Sequence, residues 1–345
     1  TDSFSVPTGN TDSRIHCHTA GSMRFNEDLG TLEFYTGDMW KTVNSFKDTG
    51  NRGRAVFMIG VTANDPLDFV NISSLGNARY FGNLSDARRT SFGCASSTRG
   101  LWGGGQTSSP TVSQNVIDYI TIASEGNAID FGNLTDTRAE PASTSSSTRG
   151  MWAGGYDPSS SRTNTLQYVE IATLGDALDF GDLTAIQVSM AAAASPTRAI
   201  FSGGYQAPHQ YEMVTIASKG NAVRFGDMAS IRARHDGCSN GTRAVFGGGR
   251  SGGAFTVVGK LETITIASEG NGVEFGTLSK INRNMLASAS SKTRGLFAGG
   301  YDPAASPSNS NVIDYITFSS LGDALDFGDL IEEKRGVSGI SDSHG

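Results

Sequence analysis

A short phrase recurs along this chain and limits the folds open to it more than any other feature. It reads TRGLWGGGQ at 98–106, TRGMWAGGY at 148–156 and TRGLFAGGY at 293–301. The six copies that can be aligned share an arginine, at Arg54, Arg99, Arg149, Arg198, Arg243 and Arg294. Successive copies are 45, 50, 49, 45 and 51 residues apart, and a period near 50 residues is typical of a propeller or a solenoid.

Each repeat contains four segments of strand length. In the last repeat they are ASASS (287–291), RGLFAGG (294–300), NVIDYITFS (311–319) and ALDFG (324–328). Turn phrases such as SEGNA and SLGDA join the third and fourth segments, where glycine followed by Asn or Asp is expected to supply positive φ angles. No segment has a helical period. Four antiparallel strands repeated six times predict an all-β fold, a six-bladed β-propeller with four-stranded blades.

The two ends of the repeat region predict how the propeller closes. A first strand is expected after Leu84, Leu134, Leu183, Met228 and Leu278, but none precedes Arg54. The C-terminal segment LIEEKRGVSGISDSHG (330–345) fits that vacant position. We therefore expect the C-terminal strand to complete the first blade, which leaves no free sheet edge there.

Residues 1–46 lack the repeat and form a separate small β module in this interpretation, followed by the propeller at 47–345. Three short strands are predicted within residues 21–43, at Met23–Asn26, Thr31–Tyr35 and Met39–Val43. A piece of this size buries too little surface to be stable alone, so it is expected to pack on a neighbour, a symmetry mate or the propeller.

Composition excludes several classes of partner. The formal charge of the 345-residue chain is −7 and its Lys and Arg residues are scattered singly, which argues against nucleic acid. No apolar run is long enough to span a membrane, and the first thirty residues or so lack the charged start and apolar stretch of a secretion signal. The chain starts at Thr1 rather than Met, as expected if a segment precedes it. Three cysteines cannot supply a disulfide framework for a chain of this length.

Two parts of the chain resemble known virion proteins. GSMRFNEDLGTLEFYTGDMWKTV (21–43) resembles a short module in structural proteins of tailed bacteriophages, often near tail fibres and tail tips. The units of the type TRGLFAGGY and NVIDYITFSSLGDALDFGDL resemble kelch-type propeller repeats in virion proteins of marine, especially cyanobacterial, phages. The resemblance implies a kelch-like propeller on the tail or particle surface, attached to other virion proteins through the N-terminal module and homo-oligomeric in the particle.

The kelch resemblance also raises the possibility of an enzyme, because a copper oxidase shares this type of propeller. That chemistry needs converging His, Tyr and Cys ligands. The only tight cluster is His16, Cys17 and His18, which we interpret as an exposed polar strand rather than a metal site. Cys94 and Cys238 occupy a repeat position that holds Thr or Ser elsewhere, so they are predicted to be small core residues. No metal and no cofactor is predicted.

Repeated charged residues are predicted to have structural roles. The six repeat arginines are expected to bind a turn carbonyl or an acidic neighbour. A second set, mostly acidic, also recurs once per unit, at Asp68, Asp118, Gln167, Glu212, Glu262 and Asp314. Catalysis normally needs a residue that departs from its repeat, and no carboxylate pair, activated nucleophile or phosphate loop meets this test. The sequence therefore does not predict an enzyme.

The segments between the second and third strands vary in length and composition, whereas the opposite turns are nearly uniform. They occupy 106–114, 156–164, 205–210, 250–260 and 301–310. A constant scaffold with one variable face is typical of a binding surface, and aromatic side chains beside polar groups suit stacking on sugar rings. The candidate binding residues are Tyr156, Asp157, Tyr205, His209, Arg250, Phe255, Tyr301 and Asp302. The alternative is that these surface loops have drifted without a binding role.

Three functions follow as hypotheses. The first is a tail fibre or tail-tip adhesin that recognises a host cell-surface glycan. The second is a capsid decoration or baseplate connector that binds other virion proteins. The third is a propeller enzyme, active on glycans or containing copper.

Overall fold

The computed structural model describes residues 5–14, 19–42, 53–60, 66–108, 110–159, 161–205, 208–251, 256–280 and 283–342. The chain forms two compact units, Thr1–Gly50 and Asn51–Gly345. The domain boundary expected at residues 46 and 47 lies outside the described residues. Within the described ranges the fold is all-β apart from one 3₁₀ turn, Thr11–Ser13, and it includes no helix with the length and hydropathy needed to cross a membrane.

The first unit contains one four-stranded sheet. Its strands, in spatial order, are Thr8–Gly9, Met23–Asn26, Thr31–Tyr35 and Trp40–Thr42. The first pair is parallel and the other two pairs are antiparallel. The predicted bounds of the two central strands are confirmed, and the last strand starts one residue later than expected because Tyr35 pairs with Trp40.

A buried ionic cluster occupies the centre of this small sheet. The Glu33 carboxylate is fully buried and lies 2.6 Å from Arg14 and 3.3 Å from Arg24. Asn26 also donates a hydrogen bond to it, at 3.2 Å. The hydrogen bond from Arg14 holds the pKa of the Glu33 carboxyl below its usual range despite burial. The unit is therefore held together by charge pairing as well as by its strands.

The described residues of the second unit form six four-stranded antiparallel sheets, which are numbered in chain order. Sheet 1 comprises Ser338–Ser341, Arg54–Met58, Pro66–Asn71 and Arg79–Asn83. Sheet 2 comprises Phe92–Ala95, Arg99–Gly103, Val116–Thr121 and Ile129–Asn133. Sheet 3 comprises Ala142–Ser145, Arg149–Ala153, Thr163–Glu170 and Leu178–Gln187.

The remaining three sheets follow the same plan. Sheet 4 comprises Ala191–Ala194, Arg198–Ser202, Gln210–Thr215 and Val223–Asp227. Sheet 5 comprises Asp236–Ser239, Arg243–Gly247, Lys260–Thr265 and Val273–Thr277. Sheet 6 comprises Ala287–Ser290, Arg294–Ala298, Ser310–Thr317 and Leu325–Lys334. A separate two-residue pairing joins Arg232–Ala233 to Arg250–Ser251.

The last strand of the chain pairs with the first strand of the second unit, as the sequence indicates. Ser338–Ser341 runs antiparallel to Arg54–Met58, with Ser338 opposite Met58 and Ser341 opposite Ala55. The Asp342 carboxylate then accepts hydrogen bonds from the backbone N–H groups of Gly53 and Arg54, at 2.7 and 3.1 Å. Residues nearly 290 positions apart are thereby joined in one sheet.

Neighbouring sheets contact one another in cyclic order. The first strand of each sheet, counting Ser338–Ser341 for sheet 1, contacts the first strands of the sheets before and after it, and sheet 6 contacts sheet 1. Each repeat arginine crosses to the next sheet, as in Arg99, whose Nη1 donates to the carbonyls of Ile171 and Ala172 at 2.9 Å. Arg294 of sheet 6 donates in the same way to Ile72 of sheet 1, at 3.1 Å.

Apolar side chains fill the spaces between neighbouring sheets. Phe81 of sheet 1 packs in one buried cluster with Trp102 and Ile120 of sheet 2, and Met151 of sheet 3 packs in another with Phe201 of sheet 4. Burial of this apolar surface, at about 25 cal/mol per Å², is the main force that holds one sheet against the next.

The turns between third and fourth strands differ in one respect from the prediction. Five of the turn glycines adopt positive φ, as at Gly126 (155°) and Gly175 (149°), whereas Gly270 in the turn of sheet 5 does not. The Asn or Asp that follows does not, and instead accepts a hydrogen bond from the neighbouring sheet: Asn127 from the N–H of Asn83 at 3.1 Å, and Asp176 from that of Asn133 at 2.8 Å. These polar residues connect sheets rather than bend the chain.

The glycine pairs after the second strands fit their expected role. Gly104 and Gly105 have φ angles of 69° and 102°, and a Cβ atom on Gly104 would lie 2.5 Å from the carbonyl oxygen of Arg138 in the next link. A side chain is excluded at this position by both backbone conformation and space.

Candidate binding site

Six residues with left-handed backbone conformation lie in the links that lead from one sheet to the next. Their φ angles are between 51° and 69°. They are Thr90, Glu140, Ser189, Arg234, Met285 and Gly336. Five of the six are not glycine, and such conformations cost about 1 kcal/mol or more each. Because every link contains one, the strained residue is part of the repeat rather than a peculiarity of one site.

Backbone hydrogen bonds connect these six link residues in sequence. The N–H of Glu140 donates to the carbonyl of Thr90 at 3.3 Å, and the N–H of Ser189 donates to Glu140 at 3.3 Å. Arg234, Met285 and Gly336 each donate to the carbonyl of the preceding member in the same way, at 2.8, 2.8 and 2.9 Å. The six residues therefore lie next to one another and surround a cavity of only about 20 Å³.

The side chains of the link residues break the symmetry of their backbones. The Glu140 carboxylate accepts a hydrogen bond from the Ser189 hydroxyl and lies 3.5 Å from the Arg234 guanidinium. The corresponding positions in the other links hold Thr90, Met285 and Gly336. Glu140, Ser189 and Arg234 therefore form a polar cluster on one side of this narrow cavity.

A depression of about 510 Å³ opens over the link residues. It shares Thr90, Glu140, Arg234, Met285 and Gly336 with the narrow cavity beneath it. Its basic side chains are Arg89, Arg234, Arg250, Lys334 and Arg335. Tyr301, Gln106 and Asn309 also line it, and Glu140 is its single acidic residue. This composition contrasts with the net charge of −7 for the whole chain.

The first strands of the six sheets enclose a narrow passage, and the link residues lie at one end of it. The side chains at the opposite end of the passage are of a different kind. A narrow cavity of about 40 Å³ is lined mainly by Ser, Ala, Gly and Cys side chains of all six sheets, and it leads to a second depression of about 330 Å³. Ser, Ala, Gly, Pro, Asn and Thr line that second depression, together with one basic residue, Lys292. Positive charge is thus concentrated at one end.

The variable loops between second and third strands pair with the links. Isolated bridges join Gln106 to Arg89, Tyr156 to Ala139, and Tyr301 to Asn284. Arg250 pairs with Ala233 in the same manner. Loops and links therefore lie at the same end of the sheets, the end that carries the basic depression.

Three of the predicted binding residues lie at or beside this depression. Arg250 and Tyr301 line it, and the ring of Tyr301 lies 4.4 Å from the Arg335 guanidinium carbon. Tyr205 is next to it, with its ring 5.6 Å from Arg234. A cation over an aromatic ring contributes about 0.5–2 kcal/mol and holds both groups in place.

The other predicted residues are not brought to the depression. Tyr156, Asp157, His209 and Asp302 do not line it. The Asp157 and Asp302 carboxylates accept hydrogen bonds from backbone groups of their own loops, at Ser159, Ser161 and Ala304. A further hydrogen bond, which the Ser159 hydroxyl donates at 2.7 Å, is the main cause that lowers the pKa of Asp157. Phe255 lies outside the described residues.

His209 is half-buried, and burial lowers the pKa of its imidazole. Within the described ranges, its Nδ1 atom has no hydrogen-bond partner.

The repeated charges have structural partners. The fully buried Asp118 carboxylate pairs with Arg88 at 2.8 Å and accepts hydrogen bonds from the N–H and hydroxyl of Ser85 in the preceding link. Gln167 accepts the equivalent hydrogen bond from the N–H of Thr135, at 2.8 Å. These side chains fasten each link to the next sheet, in agreement with the sequence-based interpretation.

Two further titratable residues, the buried His235 and the half-buried Asp236, line the narrow cavities between the sheets. Burial raises the pKa of Asp236 to about 7 and lowers that of His235 well below its usual value, which keeps the imidazole neutral. His235 forms a hydrogen bond of 2.7 Å with the Ser202 hydroxyl. Burial also raises the pKa of the Cys94 and Cys238 thiols, both of which lie in the core as predicted.

In the part of the chain that the structure describes, no three His, Cys, Asp or Glu side chains converge in a way that could hold a metal ion. The cluster considered in the sequence, His16, Cys17 and His18, lies outside the described residues.

The basic residues of the depression, apart from Arg250, were missed by reasoning from the sequence. A signal was present: at the position of Arg89 and Arg335, the other links have Ala139, Val188, Ala233 and Asn284. Cations that depart from their repeat in this way mark a site as acids and nucleophiles do.

Comparison of the chain with models of protein families gives no match. Comparison with curated proteins also gives no significant relative.

Proposed function

We propose that the second unit is a six-bladed kelch-like β-propeller and that the protein is a bacteriophage virion protein. In this proposal it acts as a tail fibre or tail-tip adhesin that recognises a host cell-surface glycan. Six sheets whose first strands contact one another in cyclic order support the propeller assignment. The resemblance of the repeats and of residues 21–43 to phage structural proteins supports the virion assignment.

One observation supports glycan binding above the others. The depression between the variable loops and the links is lined by Tyr301, Gln106, Asn309 and several arginines, whereas the depression at the other end has small, mostly uncharged side chains. Aromatic faces with polar and charged neighbours suit sugar rings and their hydroxyl groups.

The test is binding of the full chain, displayed multivalently on beads, to intact candidate host cells before and after removal of surface polysaccharide. We expect binding that is lost after removal and reduced at least severalfold by Tyr301→Ala. Tyr80→Ala is the matched control, because Tyr80 is 51% exposed on an outer strand far in sequence from the loops. Binding that survives removal of the polysaccharide would contradict the glycan assignment.

A separate observation favours the second candidate function, a capsid decoration or baseplate connector. The fourth strand of each sheet carries, at its start, a large apolar residue that is between 51% and 60% exposed. These residues are Tyr80, Ile129, Leu178, Val223, Val273 and Leu325. Exposed apolar residues repeated on every outer strand suit contacts with other proteins. Absence of cell binding by the multivalent chain would favour this function over the adhesin.

A further inference from the structure

Three basic side chains of the depression, Arg89, Arg250 and Arg335, are not required by the repeat, whereas Lys334 occupies the link position of the buried Arg88 and Arg283. Arg89 and Arg335 occupy a link position that holds Ala139, Val188, Ala233 or Asn284 elsewhere. Arg250 occupies the loop position of Tyr156, Tyr205 and Tyr301. The link position has no cation in four of the six links, and the loop position has tyrosine in three of the loops. The fold itself therefore does not require Arg89, Arg250 or Arg335.

The link arginines that have a structural role differ from these three in burial and in ion pairing. Arg88 is fully buried against Asp118, and Arg283 is fully buried against Asp314. By contrast, Arg89 is half-buried and Arg335 is exposed. Neither forms an ion pair with any carboxylate in the described part of the chain. Their charges are therefore available at the depression.

The remaining charges in the depression do not cancel this excess. Glu140 lies 3.5 Å from Arg234, and Lys334 lies 3.1 Å from Glu332, a residue that is not part of the lining. Several like charges in a concave, partly desolvated site reinforce one another's potential and attract anions. Holding them together without a ligand has a free-energy cost that an anion would remove.

The shape limits what can bind. A volume of about 510 Å³ is within the range of small-molecule sites, about 300–1,000 Å³, and the floor formed by the link residues narrows to about 20 Å³. A polymeric ligand could therefore insert its end or a side branch into the depression, but it could not thread through the floor. Guanidinium groups bind planar oxyanions through two hydrogen bonds, while Tyr301, Gln106 and Asn309 can serve neighbouring hydroxyl groups.

We propose that this depression binds an acidic sugar residue, with a carboxylate or sulfate group held by Arg89 and Arg335, at the end or in a branch of an anionic surface polysaccharide. This rests on the proposed glycan-binding function and specifies its ligand class. Carboxylate and sulfate share the same chemistry, an oxyanion on a sugar ring. The test below distinguishes between them.

The test is calorimetric titration of the full chain with three oligosaccharides of matched length: oligogalacturonate, which carries carboxylates, a sulfated dextran oligomer, and neutral dextran. We expect one or both acidic probes to bind at least tenfold more tightly than neutral dextran, with affinity that falls as salt is added. Which acidic probe binds identifies the group. Equal binding of the neutral probe, or no binding of either acidic probe, would overturn the proposal.

The variant R89Q/R335Q should weaken binding of the acidic probe at least tenfold. Lys292→Gln, which changes an exposed cation at the opposite depression, should leave it unchanged. Thermal midpoints well above the assay temperature for both variants would show that the fold is intact. A small decrease is expected for R89Q/R335Q, because Arg335 loses its contact with the Tyr301 ring. Full binding by R89Q/R335Q would place the ligand elsewhere and overturn the proposal.

The two proposals can fail separately. Polysaccharide-dependent binding to cells without binding of any acidic probe would refute the acidic ligand and leave the adhesin standing. Binding of an acidic probe through Arg89 and Arg335 without binding to cells would support the anion site and contradict the adhesin.

Discussion

Buried carboxyl groups in the second unit differ in their partners, and the difference determines how each responds to pH. Asp118 and Asp314 have buried arginines beside them. Asp236 instead accepts backbone hydrogen bonds from Gly237 at 2.9 Å and Ser288 at 2.7 Å, and has no described basic partner. Without a nearby positive charge, burial dominates, so its pKa rises to about 7.

The raised pKa of Asp236 predicts that stability falls as the pH rises. Between about pH 4 and pH 7 the folded state retains a proton on Asp236 that the unfolded chain has released, so ionisation at higher pH opposes folding. Asp68, whose pKa burial raises to about 6, acts in the same direction. The pKa shift of Asp236 corresponds to a loss of unfolding free energy of at most about 4 kcal/mol, and the partial exposure of its side chain makes this loss smaller.

Asp236→Asn should therefore reduce the loss of unfolding free energy between pH 5 and pH 8 by about 2 kcal/mol, because the amide cannot ionise. The amide keeps one of the two oxygens that accept hydrogen bonds from Gly237 and Ser288, so the variant is compared with itself at the two pH values. Urea denaturation at both pH values measures this. Asp86→Asn, at an exposed carboxylate, is the control. The same pH dependence in Asp236→Asn and in the unchanged chain would mean that Asp236 does not carry it.

At the scale of elements, neighbouring sheets approach so closely that glycine is required at particular contacts. A Cβ atom on Gly226, in the fourth strand of sheet 4, would lie 2.0 Å from the carbonyl oxygen of Gly270 in the turn of sheet 5. That oxygen belongs to backbone and cannot move without shifting the turn. By contrast, a Cβ on Gly270 itself would have nothing within 4 Å.

Gly226→Ala should lower the free energy of unfolding by about 1–3 kcal/mol, the usual cost of overpacking. Gly270→Ala, its matched control, should change stability by less than about 0.5 kcal/mol. Chemical denaturation of both variants tests the contact, and equal stability of the two would show that the sheets are farther apart than described.

Much of this element plan could be predicted from the sequence, because alternation, turn glycines and repetition are local signals. The lengths of some strands were less predictable. The strand expected at 324–328 extends over Leu325–Lys334, because the third strand of sheet 6 already starts at Ser310 and that residue pairs with Lys334. The role of Asn127 and its counterparts also depends on the neighbouring sheet, about 45 residues away in the chain.

At the scale of the whole molecule, the candidate site could be predicted only in part. Tyr301 and Arg250 belong to two of the variable loops, which an alignment of the repeats identifies. The other basic residues come from links of different repeats, and only the cyclic contact of sheets brings Arg89, Arg234 and Arg335 together. Long-range proximity of this kind requires the number and order of the sheets, which a strand pattern alone does not supply.

The cyclic order depends on one short strand at the C-terminus. Ser338–Ser341 is the neighbour of both sheet 2 and sheet 6, and its Ile340 is buried in the cluster that contains Trp102. Without it, Arg54–Met58 would present an unpaired edge and the contacts on both sides would be lost. Burial of one isoleucine contributes about 1.5–3 kcal/mol and each ladder hydrogen bond about 1 kcal/mol, so the strand contributes several kcal/mol.

A chain that ends at Gly336 should therefore unfold at a lower denaturant concentration and self-associate through the exposed edge of Arg54–Met58. A synthetic peptide of residues 337–345 should restore both the denaturation midpoint and the sedimentation coefficient of the intact chain, because the missing strand can pair in trans. A peptide with Ile340→Asp is the control and should fail, since a carboxylate would be buried beside Trp102. An unchanged midpoint in the shortened chain would mean that the sheets hold their cyclic order without the last strand.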